Sequence, residues 1–341
     1  MMKNRYTLYI LLLLPLLTTA CSDSDESLFM EQSEPVEFDV ALGSATRAGT
    51  TLDDVWPSGA TVAICTGTTT KSYQTSGSGS TVNLIPSGSD SFIWAVDGNA
   101  MVYKGWYPFS ESELSTLTVE ADQRVDDIAI TSIATDGTLT AGNTVLSDQG
   151  YLSLDKLYAP AVTVPYKRRA SLMFYHQLCR VVVNVNSAAT NNFVWSVTMG
   201  DNNLNTSSEY SRLGKTGETA TDNNTKSLWT TTSGSEVIKM RRTAYDKSLH
   251  TATYECILPP QSGGDYDHAL FTLKTTKYKS TTDDPTFIYK DAFDLQAGYQ
   301  YTYNLLLSRT GALTIATVTV SNWSSVVFDN GDANVPDDVT P

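Results

Sequence analysis

The chain has 341 residues, with 37 acidic residues against 23 basic residues and a net charge of −14. A surface this acidic repels nucleic acid phosphates, so we exclude a nucleic acid partner. Charged residues make up 18% of the chain, against roughly 25% in an average soluble domain, which is typical of an exported β protein with polar, uncharged outer faces.

The first twenty residues have the features of a secretory signal. Lys3 and Arg5 form a short basic start, an apolar run covers residues 8–17, and small residues end at Ala20. Cys21 follows directly, as in a bacterial lipoprotein signal. We therefore predict that residues 1–20 are removed and that the Cys21 thiol carries acyl chains such as palmitate. Two or three acyl chains hold a protein stably on a membrane.

Residues 21–47 are predicted to form the lipidated N-terminal segment of the mature chain. Residues 22–34 are acidic and Ser-rich, which is typical of a flexible stalk. Residues 36–42 then alternate apolar and polar side chains and predict the first strand. Arg47 and Ala48 follow in a stretch of small residues that has the composition of an accessible proteolytic site.

Strand patterns succeed one another through the rest of the chain, separated by turn-forming Gly, Ser, Asp and Asn. The patterned segments are Thr61–Cys65, Thr81–Ile85, Ser91–Val96, Ala100–Trp106, Ile128–Ile133, Phe193–Met199 and Tyr299–Leu307. Many short strands with one polar face predict an all-β chain of antiparallel β-sandwiches. Residues 110–125 are the best candidate for a short helix.

A basic, proline-containing stretch at residues 165–169 suggests the division into domains. We predict an N-terminal β-sandwich domain at residues 48–166, a C-terminal β-sandwich domain at residues 167–329 and a flexible tail at residues 330–341. Residues 172–185 are expected to form one long strand. Within it we expect His176 to be a structural histidine that hydrogen-bonds to a backbone group.

No motif predicts catalysis, a cofactor or a metal site. The zinc-protease pattern HExxH and the nucleophile pattern GxSxG are both absent from the sequence. Cys65, Cys179 and Cys256 lie far apart and outside any Cys/His cluster. We interpret them as small buried apolar residues, with one disulfide and one free thiol as the alternative. The chain is therefore not expected to be an enzyme.

Several features in chain order resemble the fimbrillin family, the major and minor subunits of type V pili. They are the lipoprotein start at Cys21, the strand Val36–Leu42 before Ala45–Ala48, the opening Trp56–Ile64, the aromatic strand end Gly105–Pro108, the pair Leu154–Ala159 and Phe174–Leu178, and Ala297–Tyr301 with a late Trp323. The resemblance spans the whole chain.

The resemblance implies two transthyretin-like antiparallel β-sandwich domains and a structural role. It implies an outer-membrane surface lipoprotein that later joins an extracellular fimbrium. An arginine-specific protease would cut between Arg47 and Ala48 and release the first strand. A strand of another pilus subunit would then enter the vacated groove by donor-strand exchange.

The sequence leaves two positions in a fibre open: the chain is a shaft subunit, or it is a tip or minor subunit. Residues 313–315 and 318–320 are well patterned as a donor strand, but the phase shift between them predicts a bulge or a bend. The polar tail after Trp323 would donate poorly. A tip subunit of this kind would act as an adhesin for host or bacterial surface receptors.

A second hypothesis is a surface-anchored carbohydrate-binding lipoprotein of a nutrient-uptake system. The chain has 18 tyrosines, and aromatic rings of this amphipathic kind can stack on sugars. The alternation of Tyr299, Tyr301 and Tyr303 equally fits side chains that fill one face of a sheet.

Overall fold

Strands build the described part of the chain, which confirms the all-β prediction. The structure is a computed structural model that describes residues 34–42, 55–124, 132–133, 139–140, 150–151, 153–188, 194–210, 229–231, 235–264, 266–275, 286–308 and 312–323.

These residues form 23 strands, numbered in chain order. The strands are β1 (Phe38–Leu42), β2 (Thr61–Thr66), β3 (Thr69–Ser76), β4 (Thr81–Pro86), β5 (Met101–Tyr107), β6 (Thr116–Thr118), β7 (Ser132–Ile133), β8 (Leu139–Thr140), β9 (Leu157–Val164), β10 (Ala170–His176), β11 (Cys179–Ser187), β12 (Val194–Leu204), β13 (Ser207–Tyr210), β14 (Trp229–Thr231), β15 (Glu236–Lys239), β16 (Arg241–Asp246), β17 (Thr251–Leu258), β18 (Gln261–Gly263), β19 (Ala269–Thr275), β20 (Thr286–Lys290), β21 (Phe293–Leu295), β22 (Tyr299–Leu307) and β23 (Leu313–Asn322).

Seven strands close into a barrel in the order β1-β10-β9-β5-β2-β3-β4. β1 completes the closure, because it pairs in parallel with β10 and antiparallel with β4. The resemblance implies a sandwich here, whereas the hydrogen bonds join the strands into one continuous sheet. Large side chains fill the interior, among them Phe38, Trp56, Tyr73, Tyr103 and Phe174.

The later strands form a five-stranded sheet, β16-β17-β11-β22-β23, and a four-stranded sheet, β15-β12-β19-β20. One apolar core includes side chains from both sheets, such as Val183 and Tyr254 from the first and Met199, Ile238 and Leu273 from the second. The two sheets therefore bury one face against each other, as the alternating patterns predict. The transthyretin-like topology stays a prediction.

A third core covers part of the outer face of the five-stranded sheet. It contains Leu117, Val119, Tyr151, Leu154, Leu178, Ile257 and Trp323. Gln123 fixes this contact, because its amide donates to the carbonyl of Ile257 at 2.7 Å and its side-chain oxygen accepts from the Ile257 N–H at 2.8 Å. Smaller sheets pair β13 with β14 and β6, β18 with β21, and β7 with β8.

Several predicted strands are confirmed. β22 has the predicted bounds, and β2, β4, β5 and β12 overlap their predicted segments closely. The predicted bulge in the last strand is also present: Asn304 pairs with Thr317 and Leu305 with Ile315, so Ala316 is the extra residue.

The structure differs from the secondary structure predicted for residues 110–125 and 91–96. Residues 110–125 contain strand β6 in place of a helix, since the buried Leu117 pairs with β13. Residues 91–96 form no strand beyond a single bridge at Ile93. The backbone there is satisfied differently, because Phe92 donates to the Tyr73 hydroxyl and accepts from the Val36 N–H.

The predicted long strand at residues 172–185 is also wrong, because it is interrupted at Gln177 and Leu178. The Gln177 N–H donates to the Lys156 carbonyl, and the Leu178 carbonyl accepts from the Gly298 N–H. The chain passes here from the barrel strand β10 to the sandwich strand β11. The domain division at residue 166 stays a prediction, with β10 on its C-terminal side.

Candidate functional site: strand β1 and its groove

β1 lies in the barrel between two strands that do not pair with each other. It runs parallel to β10, with Phe38 opposite Ala170 and Leu42 opposite Phe174. It runs antiparallel to β4, with Phe38 opposite Leu84 and Ala41 opposite Thr81. The groove that holds β1 therefore has a hydrogen-bonding edge on each side.

Alternate side chains of β1, and Val36 just before it, point into the barrel and are almost completely buried. Val36, Phe38, Val40 and Leu42 are exposed by 4%, 1%, 0% and 2%. The alternation of apolar and polar residues explains this arrangement, because successive strand residues point to opposite faces. Glu37 lies on the other face and pairs with Arg169 at 2.6 Å near the surface.

Phe38 occupies an aromatic pocket. Its ring centroid lies 5.1 Å from that of Tyr73, 6.3 Å from that of Phe92 and 5.0 Å from that of Tyr103, each in an edge-to-face arrangement. Such pairs are favourable beyond the area that they bury. Burial also raises the pKa of Tyr103 to about 12. Phe38 is therefore held by three aromatic rings of the barrel.

The end of β1 contacts a second small cluster. A cavity of about 20 Å³ is lined by residues that include Leu42, Trp56, Asp155 and His176, and a space of this volume admits about one water molecule. The His176 ring stacks on Trp323, with centroids 4.3 Å apart and planes 9° apart. This stack joins the barrel to the residue that follows β23.

His176 is buried, as expected, but its predicted partner is wrong. Its Nδ1 lies 3.0 Å from Oδ1 of Asp155 and 2.9 Å from Oδ2, so the partner is a carboxylate and not a backbone group. Tyr107 lines the same cavity. Burial, and then the charge of Asp155, raises the pKa of Tyr107 to about 12.

The three cysteines of the described residues are buried and form no disulfide, so their interpretation as small apolar residues is confirmed. Cys179 donates to the Leu258 carbonyl at 3.1 Å. Burial raises the pKa of the Cys179 and Cys256 thiols. Both thiols therefore stay in the neutral form that suits an apolar core.

The predicted lipidation site Cys21 and the predicted cleavage site Arg47–Ala48 lie outside the described residues. They remain predictions from the sequence. Within the part of the chain that is described, no group of three or more His, Cys, Asp or Glu side chains could hold a metal ion. The same residues contain no helix with the length and apolar character to cross a bilayer.

The tyrosines of β22 mainly pack in the core between the two sheets. Tyr301 and Tyr303 are buried in the sandwich core, with exposed fractions of 7% and 5%, and Phe271 packs edge-on against Tyr303 at 4.9 Å. These rings face the second sheet and are not available to stack on a sugar.

Sequence reasoning missed a buried ion pair on the five-stranded sheet. Arg180 on β11 donates to Glu255 on β17 through Nε at 3.0 Å and also through Nη2. Each residue is the single charge in an otherwise apolar run of its strand. The sequence signal for this ion pair is one charge of each sign, each alone in an apolar run, because buried charges are almost always paired.

The comparisons with known proteins agree with this architecture. A family model described as fimbrillin-like matches residues 44–323. No curated protein matches the chain. A proposed cell adhesion protein of Bacteroides uniformis has 16% identity and a TM-score of 0.54, over 86% of this chain and 99% of that one.

A proposed cell adhesion protein of Bacteroides ovatus is similar to the same degree. It has 16% identity and a TM-score of 0.53, over 87% of this chain and 99% of that one. At this identity the two likenesses concern the fold alone. The match of the family model covers most of the sequence, and the chain belongs to the fimbrillin-like family.

Proposed function

We propose that the chain is a subunit of a surface pilus that assembles by exchange of β1 for a strand of another subunit. The observation that carries the proposal is the position of β1, which closes the barrel between β4 and β10. β1 ends at Leu42, five residues before Arg47 in the sequence. A cut after Arg47 would leave β1 bound to the barrel by non-covalent contacts alone.

Removal of β1 would expose two strand edges and an apolar trough. Unpaired N–H and C=O groups on β4 and β10 would face the gap, and the side chains around Phe38 and Val40 would contact water. Both are unfavourable. A strand from another subunit would restore the hydrogen bonds and refill the pockets, which makes the open barrel a transient intermediate.

The lipid at Cys21 and the cut at Arg47 would act in sequence. The lipid would hold the precursor on the outer membrane, and the cut would separate this anchor and β1 from the body. Assembly would thereby be coupled to release from the membrane into an extracellular fimbrium.

Within the fimbrium we place the chain at the tip or among the minor subunits, as an adhesin for surface receptors. Residues 330–341 contain only Ala333, Val335 and Val339 as hydrophobic residues. They therefore offer little apolar surface to a groove in a neighbouring subunit.

The role of Arg47 is tested by isolating surface fibres from cells that produce the chain. The parent chain should be detected in the fibres by immunogold labelling. The Arg47→Ala variant should stay in the membrane fraction because its anchor is retained. Arg168→Ala, an exposed arginine in the turn between β9 and β10, is the control and should enter fibres normally. Arg47→Ala chains in the fibres at the parental level would refute the proposal.

A further inference from the structure

The side chains of β1 show what the groove accepts. Four inward positions lie two residues apart, and Val36, Phe38, Val40 and Leu42 fill them. Three of these residues are aliphatic. A strand that enters in the direction of β1 and restores the same packing must therefore carry an aromatic residue at the Phe38 position and aliphatic residues at the positions of Val36, Val40 and Leu42.

The walls of the aromatic pocket also contact one another. The Tyr73 hydroxyl accepts a hydrogen bond from the Phe92 N–H at 2.9 Å. The rings of Tyr73 and Phe92 stack, with planes 15° apart. The Lys71 ammonium lies 4.9 Å from the Phe92 ring centroid. These three contacts remain when β1 leaves, although the hydrogen bond from the Val36 N–H to the Phe92 carbonyl is lost with it.

We propose that this pocket is a specificity site: it selects a strand of a different subunit that places an aromatic side chain at the Phe38 position. The inference rests on the proposed exchange of β1 and adds the identity of the partner strand. A strand with a small side chain there would leave a cavity, and buried cavities are costly.

The C-terminal segments of this chain fit the pocket poorly. β23 contains no aromatic residue. Phe328 follows Val326 as Phe38 follows Val36, but Asn330 and Asp332 then stand where β1 has Val40 and Leu42. Burial of an unpaired amide and carboxylate is strongly unfavourable. A different subunit is therefore a better partner than a second copy of this chain.

The test uses the full chain with residues 44–50 replaced by the recognition site of a protease that does not cut after arginine. The result therefore does not depend on cleavage at Arg47. After the cut, the protein is incubated with fluorescent peptides, and the bound peptide is measured by anisotropy. The peptides cover residues 34–47, the same residues with Phe38→Ala, the same residues with Glu37→Gln as the outward-facing control, and residues 312–325 with β23.

We expect the parent and Glu37→Gln peptides to bind equally. The Phe38→Ala peptide should bind ~100-fold more weakly, the equivalent of about 3 kcal/mol, and the β23 peptide should bind at least as weakly. If the parent peptide binds and the Phe38→Ala or β23 peptide comes within ~3-fold of it, selection by the pocket is refuted and exchange survives. If the parent peptide fails to enter, exchange is refuted together with the selection.

Discussion

Two charged side chains of this protein, Arg180 and Glu255, are buried away from water. Arg180 is 9% exposed and Glu255 is 2% exposed. Nη1 of Arg241 lies 3.6 Å from Glu255 Oε1, and Nη1 of Arg180 donates to Gln300 at 3.2 Å. Removing water from such charges is unfavourable, and their mutual contacts compensate for it. The group is therefore sensitive to the loss of one partner.

We predict that Glu255→Gln destabilises the protein by about 3–5 kcal/mol, because it removes the buried carboxylate charge that both Arg180 and Arg241 contact. Glu37→Gln, which removes the partner of the half-exposed Arg169, should cost less than about 1 kcal/mol. Urea unfolding of both variants measures the two effects. Equal losses from both substitutions would contradict this account of the buried pair.

The sequence predicts strands best where one of the two strand faces is polar. β1 and β22 alternate clearly; β22 has its predicted bounds, and β1 begins two residues after the predicted start at Val36. The break between β10 and β11 was not predictable from periodicity, because β-prone residues continue on both sides of it and neither Gly nor Pro marks it. Closure of the barrel was not predictable from the sequence either, since it pairs β1 with a strand more than a hundred residues later.

Close approach of strands explains one glycine in the barrel. A Cβ at Gly105 of β5 would lie 2.7 Å from Cζ of Phe174 and 2.9 Å from the Ala63 carbonyl oxygen. Both distances are shorter than normal contacts. Gly105 therefore lets β5 pass against the ring that β10 sends into the barrel.

We predict that Gly105→Ala costs about 1–3 kcal/mol, because the extra methyl group must displace Phe174 or the backbone of β2. Gly88→Ala is the matched control, since a Cβ there would meet nothing within 4 Å. Thermal unfolding of the two variants checks the difference. An unchanged midpoint for Gly105→Ala would show that the barrel relaxes without strain.

The stability of the whole molecule at alkaline pH depends on tyrosines that are buried in its apolar cores. Burial raises the pKa of Tyr103 in the barrel and of Tyr301 in the sandwich to about 12. In the unfolded chain both groups have an ordinary pKa near 10. The folded state therefore holds these protons more tightly than the unfolded state in the interval between the two values.

We predict that the contribution of Tyr103 and Tyr301 to the free energy of unfolding stays level up to pH 10 and falls as the pH rises from 10 towards 12, because unfolding then releases protons. Urea unfolding across this range, with phenolate absorbance followed in parallel, measures the effect. Tyr301→Phe should reduce the slope. Stability that stays constant across this interval would contradict the burial of these hydroxyl groups.

If β1 is exchanged during assembly, it is absent from the subunits of the fibre. The N-terminal sequence and mass of the subunit in purified surface fibres test this. We expect a body that begins at Ala48, with a strand of another subunit in place of residues 36–42. Subunits that begin at an acylated Cys21 and retain β1 within the fibres would contradict it.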